Sequence, residues 1–580
     1  MAITVNGQIY RNLQEQVQYL TDRTDEIKPY IAGTGITISE QTIAIDPNSV
    51  QLKLTAGDGI NVTGNTISVD YNDVQAKLKD GRLGYVTAKM FGAVGDGVHD
   101  DTAAIQNAIN SNNYVFIENG TYLIDGSVGL TLRSNLVIQM CPNTVLQRTT
   151  TETKYKPLLK GTGLENIVIC GGHIYGDLLN HEITSGTEYG NHGMSFENCK
   201  NISVDGVDIA HHNGDCLRFG TGQSYCEDIV VKNCKLHDSF RHGIAITGAK
   251  NGLIESCDIS GVKWLDGIDF ESGYADYGSS DFKIINVKIH NFDAQSYSTN
   301  LSIMNHDCTN LIIDSCYFSN ALYTKLPLVI KNSKLNTVRV TSPSKFTGTD
   351  VLSISNSNLR ILYLVDYSNV FVDNCNFMDT YNFMDSVQGV GCRIEYSVDN
   401  TNKPNCKFSN CYFESSKGTS LTESLFYYIN SNANTLEFDN CDFLIRCVNP
   451  IMLNSTKCKM LNSFIHFETN ENSNAYGAIE SYAEDCLIDN VTIEAKNIAQ
   501  TTYNGFIRIA GKNNTIINSN IISNSALGGV YDGNALRANY PNVQELVVIG
   551  CAFPKYSKVA QVNDVSVLKQ ANNVISTNLS

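Results

Sequence analysis

One short phrase recurs along this chain: alternating apolar residues, a small turn pair, then a second alternating run. It reads DIVVKNCKLHDS, GLIESCDISGV, NLIIDSCYFSNA, NVFVDNCNFMDT, TLEFDNCDFLIR and ELVVIGCAFPK. Aligned on the residue after the turn, it returns at Cys234, Cys257, Val287, Cys316, Cys375, Cys411, Cys441, Ser463, Val491, Ser519 and Cys551, mostly in steps of about 20 to 36 residues. Period-two alternation means strand. Repetition at that period means a solenoid, because one coil cannot bury its inner face until the next is stacked on it. The expectation is an all-β chain, a right-handed parallel β-helix with strands about 4.8 Å apart, little helix, and a long shallow groove suited to an extended polymer.

Composition limits the partners. At 580 residues the chain exceeds one compact domain, and its formal charge of -17, with 42 Lys plus Arg and no basic run, argues against nucleic acid. It has neither the leader of a secreted protein nor an apolar run of the ~20 residues a membrane span needs. We therefore expect synthesis in a cytoplasm, no export signal and no membrane insertion. The 18 cysteines contain no CxxC pair and sit in the repeat turns, so they are expected to be stacked thiols rather than disulfides or metal ligands.

The ends of the solenoid read differently. In "GAVGDGVHDDTAAIQNAI" Asp101 is placed to N-cap a helix whose apolar stripe is Ala104, Ile105, Ala108 and Ile109. A helix there would cover the open end of the stack, as solenoids require. Asp96, Asp100 and Asp101 are accordingly given structural roles. This stretch, with "NYVFIENGTYLI" after it, resembles the N-terminal signature of the pectate-lyase-like superfamily, whose members include polysaccharide-degrading enzymes and phage tailspikes. The resemblance covers residues 86–124 and implies the β-helix.

Upstream, Leu13, Val17, Leu20, Thr24 and Ile27 form a short a/d seam. "AGTGITISEQTIAIDPNSVQLKL" from Ala32 then repeats as "AGDGINVTGNTISVDYNDVQAKL" from Ala56, at an offset of 24. Small duplicated β modules behind a helical seam resemble the shaft of a trimeric phage tail fibre or tailspike. The expected organisation is a coiled-coil virion-attachment segment at 1–30, a β stem at 31–79, a cap at 80–125, the glycan-binding and cleaving β-helix at 126–555, and a tail at 556–580.

Chemistry is expected where polar residues stack. "HGMSFE", "DCLRFG", "HGIAIT" and "DGIDFE" begin at His192, Asp215, His242 and Asp266, in steps of 23, 27 and 24 residues, one coil each. Alternation places those four in an entrance column, Ser195, Arg218, Ala245 and Asp269 in an outward column, and Glu197, Gly220, Thr247 and Glu271 in a third. Glycoside hydrolysis needs a proton donor and a second carboxylate. The candidate catalytic residues are Asp215, His242, Asp266, Asp269 and Glu271. His192, Glu197, Arg218, Arg241 and Trp264 are candidate substrate contacts. Asp215 and Asp266, two coils or about 9.6 Å apart, favour inversion, whereas Asp269 and Glu271 approach the retaining distance. "NGDCLRF" followed by "FRHGIAI" resembles two consecutive motifs of the polygalacturonase family, which implies a catalytic carboxylate at Asp215 and an assisting His242. Gly214 and His192 stand where that family has aspartates, and no Arg-x-Lys follows.

The function these observations point to is a homotrimeric tailspike, anchored to phage tail or baseplate proteins through its N-terminus and released by host lysis. It would depolymerise a host surface glycan by hydrolysis, without a cofactor. The alternatives are a binding-only fibre, a teichoic acid-degrading spike, and a polysaccharide lyase, the last of which would call for Ca²⁺.

Overall fold

The computed structural model of the chain describes residues 84–151, 155–180, 190–221, 223–271 and 278–291, strands and turns between 301 and 575, and six short strands before residue 70. The a/d seam at residues 13–27 lies outside the described residues. The chain is almost entirely β and divides into two compact units, Met1–Asn213 and Gly214–Ser580. No described helix is long and apolar enough to cross a membrane.

In the first unit each copy of the 24-residue duplication makes an antiparallel hairpin. Ile36–Ser39 pairs with Thr42–Ile45, Ile60–Thr63 pairs with Thr66–Val69, and the two hairpins join at Ile43 and Ile67. Beyond them the coils of a right-handed parallel β-helix begin. Tyr114–Ile117, Leu136–Met140, Glu165–Cys170 and Lys200–Asp205 lie side by side in one parallel sheet. Gly120–Ile124, Thr144–Arg148, His173–Tyr175 and Asp208–Ala210 lie in another. Alternation buries Ile138, Ile169 and Val204 in the interior.

The helix Thr102–Ser111 buries Ile105, Ala108 and Ile109 as its stripe dictates. Arg133 Nε, on the following coil, donates to Ile109 O at 2.6 Å. Asp101 occupies the N-cap position without capping, which corrects the sequence expectation. Its fully buried carboxylate instead accepts the N–H groups of Val94 and Gly95 at 2.6 and 3.1 Å, while Asp100 takes the Thr102 N–H. The role is structural, but what it fixes is the preceding glycine turn.

In the second unit the eleven aligned positions, from Cys234 to Cys551, each follow a residue with positive φ, such as Asn233, Ser256, Asn286, Asn440 or Gly550. Asparagine tolerates the left-handed region, and it turns the corner between sheets. Corner asparagines also bond to the preceding coil, as in Asn374 to Asn356, Asn410 to Asp373, Asn440 to Asn410 and Asn490 to Asn462. The residue after the corner points inward, so Cys316, Cys375, Cys411, Cys441 and Cys551 are buried and donate Sγ–H to the carbonyl two residues back. The 15 described cysteines are all free thiols. Inside, Phe377, Phe413 and Phe443 stack with centroids 4.6 and 4.9 Å apart.

Two further coils, passed over in the alignment, follow the same pattern with Ser333 and Ser357 buried after the corners at Asn332 and Asn356. The expected C-terminal tail is also corrected. Lys558–Val562, Val567–Ala571 and Val574–Ile575 pair in parallel with the preceding coil, so coiling continues to residue 575.

Candidate functional site

In the second unit the strands Leu217–Phe219, Ile244–Ile246, Ile268–Glu271 and Leu301–Met304 are neighbours in strict register. Ile244 and Ile268 fill the interior, and Arg218, Ala245, Asp269 and Ser302 form the alternate column. The turns leading into these strands are locked together. Cys216 N–H donates to His242 O at 3.0 Å, and Gly243 N–H donates to Asp266 O at 3.2 Å. Asp215, His242 and Asp266 therefore occupy equivalent places on three successive coils. Gly243 allows this approach, since a Cβ there would lie 2.6 Å from Gly267 O.

The cluster is not the solvated groove face that alternation implies. Asp215, His242, Asp266 and Asp269 are 1, 3, 7 and 3 % exposed. His242 N–H donates to Asp215 Oδ1 at 3.2 Å, and Arg241 Nε lies 3.5 Å from the same oxygen. Arg241, expected to grip substrate, is thus engaged by a buried carboxylate. His242 Nδ1 accepts the Asp266 N–H at 3.2 Å. This bonding assigns the proton of a neutral His242 to Nε2, which lies 3.7 Å from Asp269 Oδ2. Glu271 is exposed at the rim. Arg218, half-buried, pairs in register with Ala245. His192 and Glu197 belong to the first unit, where His192 is buried and Glu197 lies 3.4 Å from Lys160 Nζ.

Trp264 is 38 % exposed and packs on Phe240 of the preceding coil, their centroids 5.5 Å apart. Phe240 was missed in the sequence. Its signal is positional: Phe240 precedes His242 by two residues, as Trp264 precedes Asp266. Together they form an aromatic platform two residues before the turn column.

Asp269 is the electrostatic centre. Burial, and then the negative charges of Asp266, Glu271 and Asp215, push its carboxyl up to about 8, against a smaller opposing pull from Arg241. It is therefore neutral at pH 7 and able to give up a proton. Its Oδ1 is buried with no hydrogen-bond partner among the described residues. His242, Asp266 and Asp269 can bring one ligand atom each to within 4.8 Å of one another. An imidazole with two carboxylates suits a transition ion better than Ca²⁺, which takes six to eight oxygens.

Residues 85–324 match the family model for rhamnogalacturonase A/epimerase, pectate lyase-like. The chain is 31% identical over 241 residues to protein YclG of Bacillus subtilis, covering 36% of this chain and 41% of YclG. It is 26% identical over 202 residues to the SPbeta prophage-derived protein YorA of the same organism, covering 29% of this chain and 34% of YorA. The chain spans less than half the length of the curated relatives it matches. Among solved structures, the tailspike protein gp49 of Pseudomonas phage LKA1 aligns with a TM-score of 0.38 at 13% identity, over 72% of this chain and 83% of that one.

Proposed function

We propose that this pectate-lyase-like β-helix is a phage tailspike that binds a host surface polysaccharide and hydrolyses its glycosidic bonds, with Asp269 as the proton donor. The observation that carries the reading is a neutral, buried Asp269 beside a second carboxylate on its own coil and an imidazole on the preceding one. Asp269 would protonate the leaving glycosidic oxygen as the C–O bond breaks. The Asp266 carboxylate, within 4.8 Å, would attack the anomeric carbon to form a glycosyl ester. Asp269 would then take a proton from the water that hydrolyses the ester. A separation this short lies nearer the roughly 5 to 5.5 Å of retaining enzymes than the 6.5 to 9.5 Å of inverting ones, so retention is expected in place of inversion. Asp215, held by Arg241, fixes the His242 backbone and is a positioning residue in this scheme.

Attachment to a virion tail is supported by the duplicated hairpins ahead of the β-helix and by the prophage origin of YorA. A homotrimer, joined to tail proteins through the N-terminal segment, is part of the same proposal. A second reading, a fibre that binds glycan without cutting it, is favoured by how little of the carboxylate cluster reaches solvent. Incubating purified protein with host polysaccharide decides between them. Hydrolysis predicts saturated products of retained configuration that are lost in Asp269→Asn and Asp266→Asn while adsorption persists. Unsaturated ends would establish a lyase, phosphodiester cleavage a teichoic acid-degrading spike, and no product the binding-only fibre.

A further inference from the structure

The column that carries Asp269 does not stop at the cluster. Asp269 is in register with Ser302, Ser302 with Tyr323, Tyr323 with Arg339, and Arg339 with Tyr363. The register then continues to Arg393 and Tyr427. One register line of the second unit therefore alternates tyrosine and arginine over five coils, starting two coils beyond Asp269. No packing requirement of a β-helix asks for this, since the interior is filled from the other face of each strand.

The described side chains show how the line is built. The Arg339 guanidinium lies between two rings, 5.2 Å from the Tyr323 centroid and 5.1 Å from that of Tyr363. Its Nη1 donates to Tyr323 Oη at 3.3 Å. The rings hold the guanidinium plane fixed, so little rotamer freedom remains to be lost on binding. Among the described residues Arg339 makes no ion pair. Arg508, further along the same sheet, shows the contrast, with Nη1 2.7 Å from Glu480 on the adjacent coil. In a chain of net charge -17, the half-buried Arg339 is thus held by two tyrosines and, among the described residues, by no carboxylate.

We infer that Tyr323, Arg339 and Tyr363 form a remote subsite for an anionic group on the polysaccharide, a carboxylate or a phosphate, bound about three coils or roughly 14 Å from Asp269. The inference rests on the proposed glycan-cleaving function and adds the substrate's charge. Arg339 offers a planar fork that matches such an anion. Both of its stacking partners already have a face covered by the guanidinium, which leaves less ring for a neutral sugar. A chain laid along the column would reach Asp269 at one end and Arg339 further on, so the anion would set which bond is presented to the acid.

The test uses the full chain carrying Asp269→Asn, so that bound glycan is not cut, and a surface array of host and reference polysaccharides. The array includes uronate-bearing, phosphodiester-linked and neutral chains, and the uronate-bearing chains again after their carboxylates are converted to amides. The expected result is capture by an anionic chain that weakens with added salt and disappears on amidation if the anion is a carboxylate, or is confined to phosphodiester chains if it is a phosphate. Adding Arg339→Gln should weaken capture about tenfold to a hundredfold, with an unchanged thermal midpoint. Lys512→Gln, an exposed charge paired with Glu484, should leave it within twofold. Capture of neutral or amidated chains alone, or an Arg339→Gln variant that binds within twofold of its parent, overturns the subsite but leaves glycan recognition standing. Failure to capture any polysaccharide overturns the glycan reading and the subsite with it.

Discussion

Asp269→Asn swaps a carboxyl that the fold keeps neutral for an isosteric amide, so it separates the electrostatic argument from packing. The folded carboxyl titrates near 8 and the unfolded one near 3.8. From about pH 4 upward the folded state holds a proton that the unfolded chain has released. Stability therefore falls as pH rises, being fully present below the unfolded value and lost on the way to the folded one. The slope is at most about 1.4 kcal/mol per pH unit. Between pH 5 and pH 8 the loss comes to about 4 kcal/mol. For a cooperative unit of about 370 residues, at ~2.1 cal/mol/K per residue, that is about 5 °C in thermal midpoint. The amide has no such proton, so the midpoint of the Asn variant should gain about 5 °C on the parent across that window. Turnover of the parent should fall above pH 8 as the donor ionises, and the variant should lose a factor of about 10² to 10⁴. Scanning calorimetry at matched ionic strength reads the first effect and product release the second. Parallel midpoint profiles for the two proteins would refute the buried neutral acid.

Gly243→Ala would place a methyl 2.5 Å from Ile259 Cγ2 and 2.6 Å from Gly267 O. It should cost about 1 to 3 kcal/mol and cut turnover by spreading the His242 and Asp266 coils, as denaturation and kinetics would report. Asp101→Ala leaves the Val94 and Gly95 N–H groups unmet and should cost about 1 to 3 kcal/mol, with turnover per folded molecule unchanged. Alkylation without reductant should label all 18 cysteines after unfolding. In the native state the buried thiols should react slowly, since burial pushes Cys170 to about 12 and Cys316 to about 11. A protected pair in the unfolded chain would reveal a disulfide. Light scattering at micromolar concentration should give three copies of the chain, and a monomer would remove the trimer.

The fold was legible because it is written in a local rule, a corner residue that accepts the left-handed region followed by an inward residue of limited size. The alignment passed over the two coils at Ser333 and Ser357 although they obey the same rule, and the inward site takes cysteine, serine or valine alike, so it asks for small volume and not for sulfur. Register was legible too, and alternation placed Asp215, His242 and Asp266 together. What alternation could not give was burial. It calls Asp269 outward, yet the side chain is buried, and that burial together with the neighbouring carboxylates raises its carboxyl to about 8. Arg241 likewise read as a free cation until the coils were stacked and Asp215 met it. The Tyr323, Arg339 and Tyr363 line was invisible because their sequence spacings, 16 and 24 residues, are unequal, and only the pairing of strands aligns them.

The corner asparagines have a direction. In each of these bonds the amide belongs to the later coil and the accepting oxygen to the earlier one, as with Asn201 on Asn166, Asn251 on Asp228, Asn332 on Asp314 and Asn518 on Asp489. The bond is the same whichever coil is laid down first, so what the direction fixes is which tie a substitution breaks. Asn410 does both, donating to Asp373 and accepting from Asn440. Aspartate in its place would keep the later tie and lose the earlier one, loosening one seam of the stack and leaving the next closed.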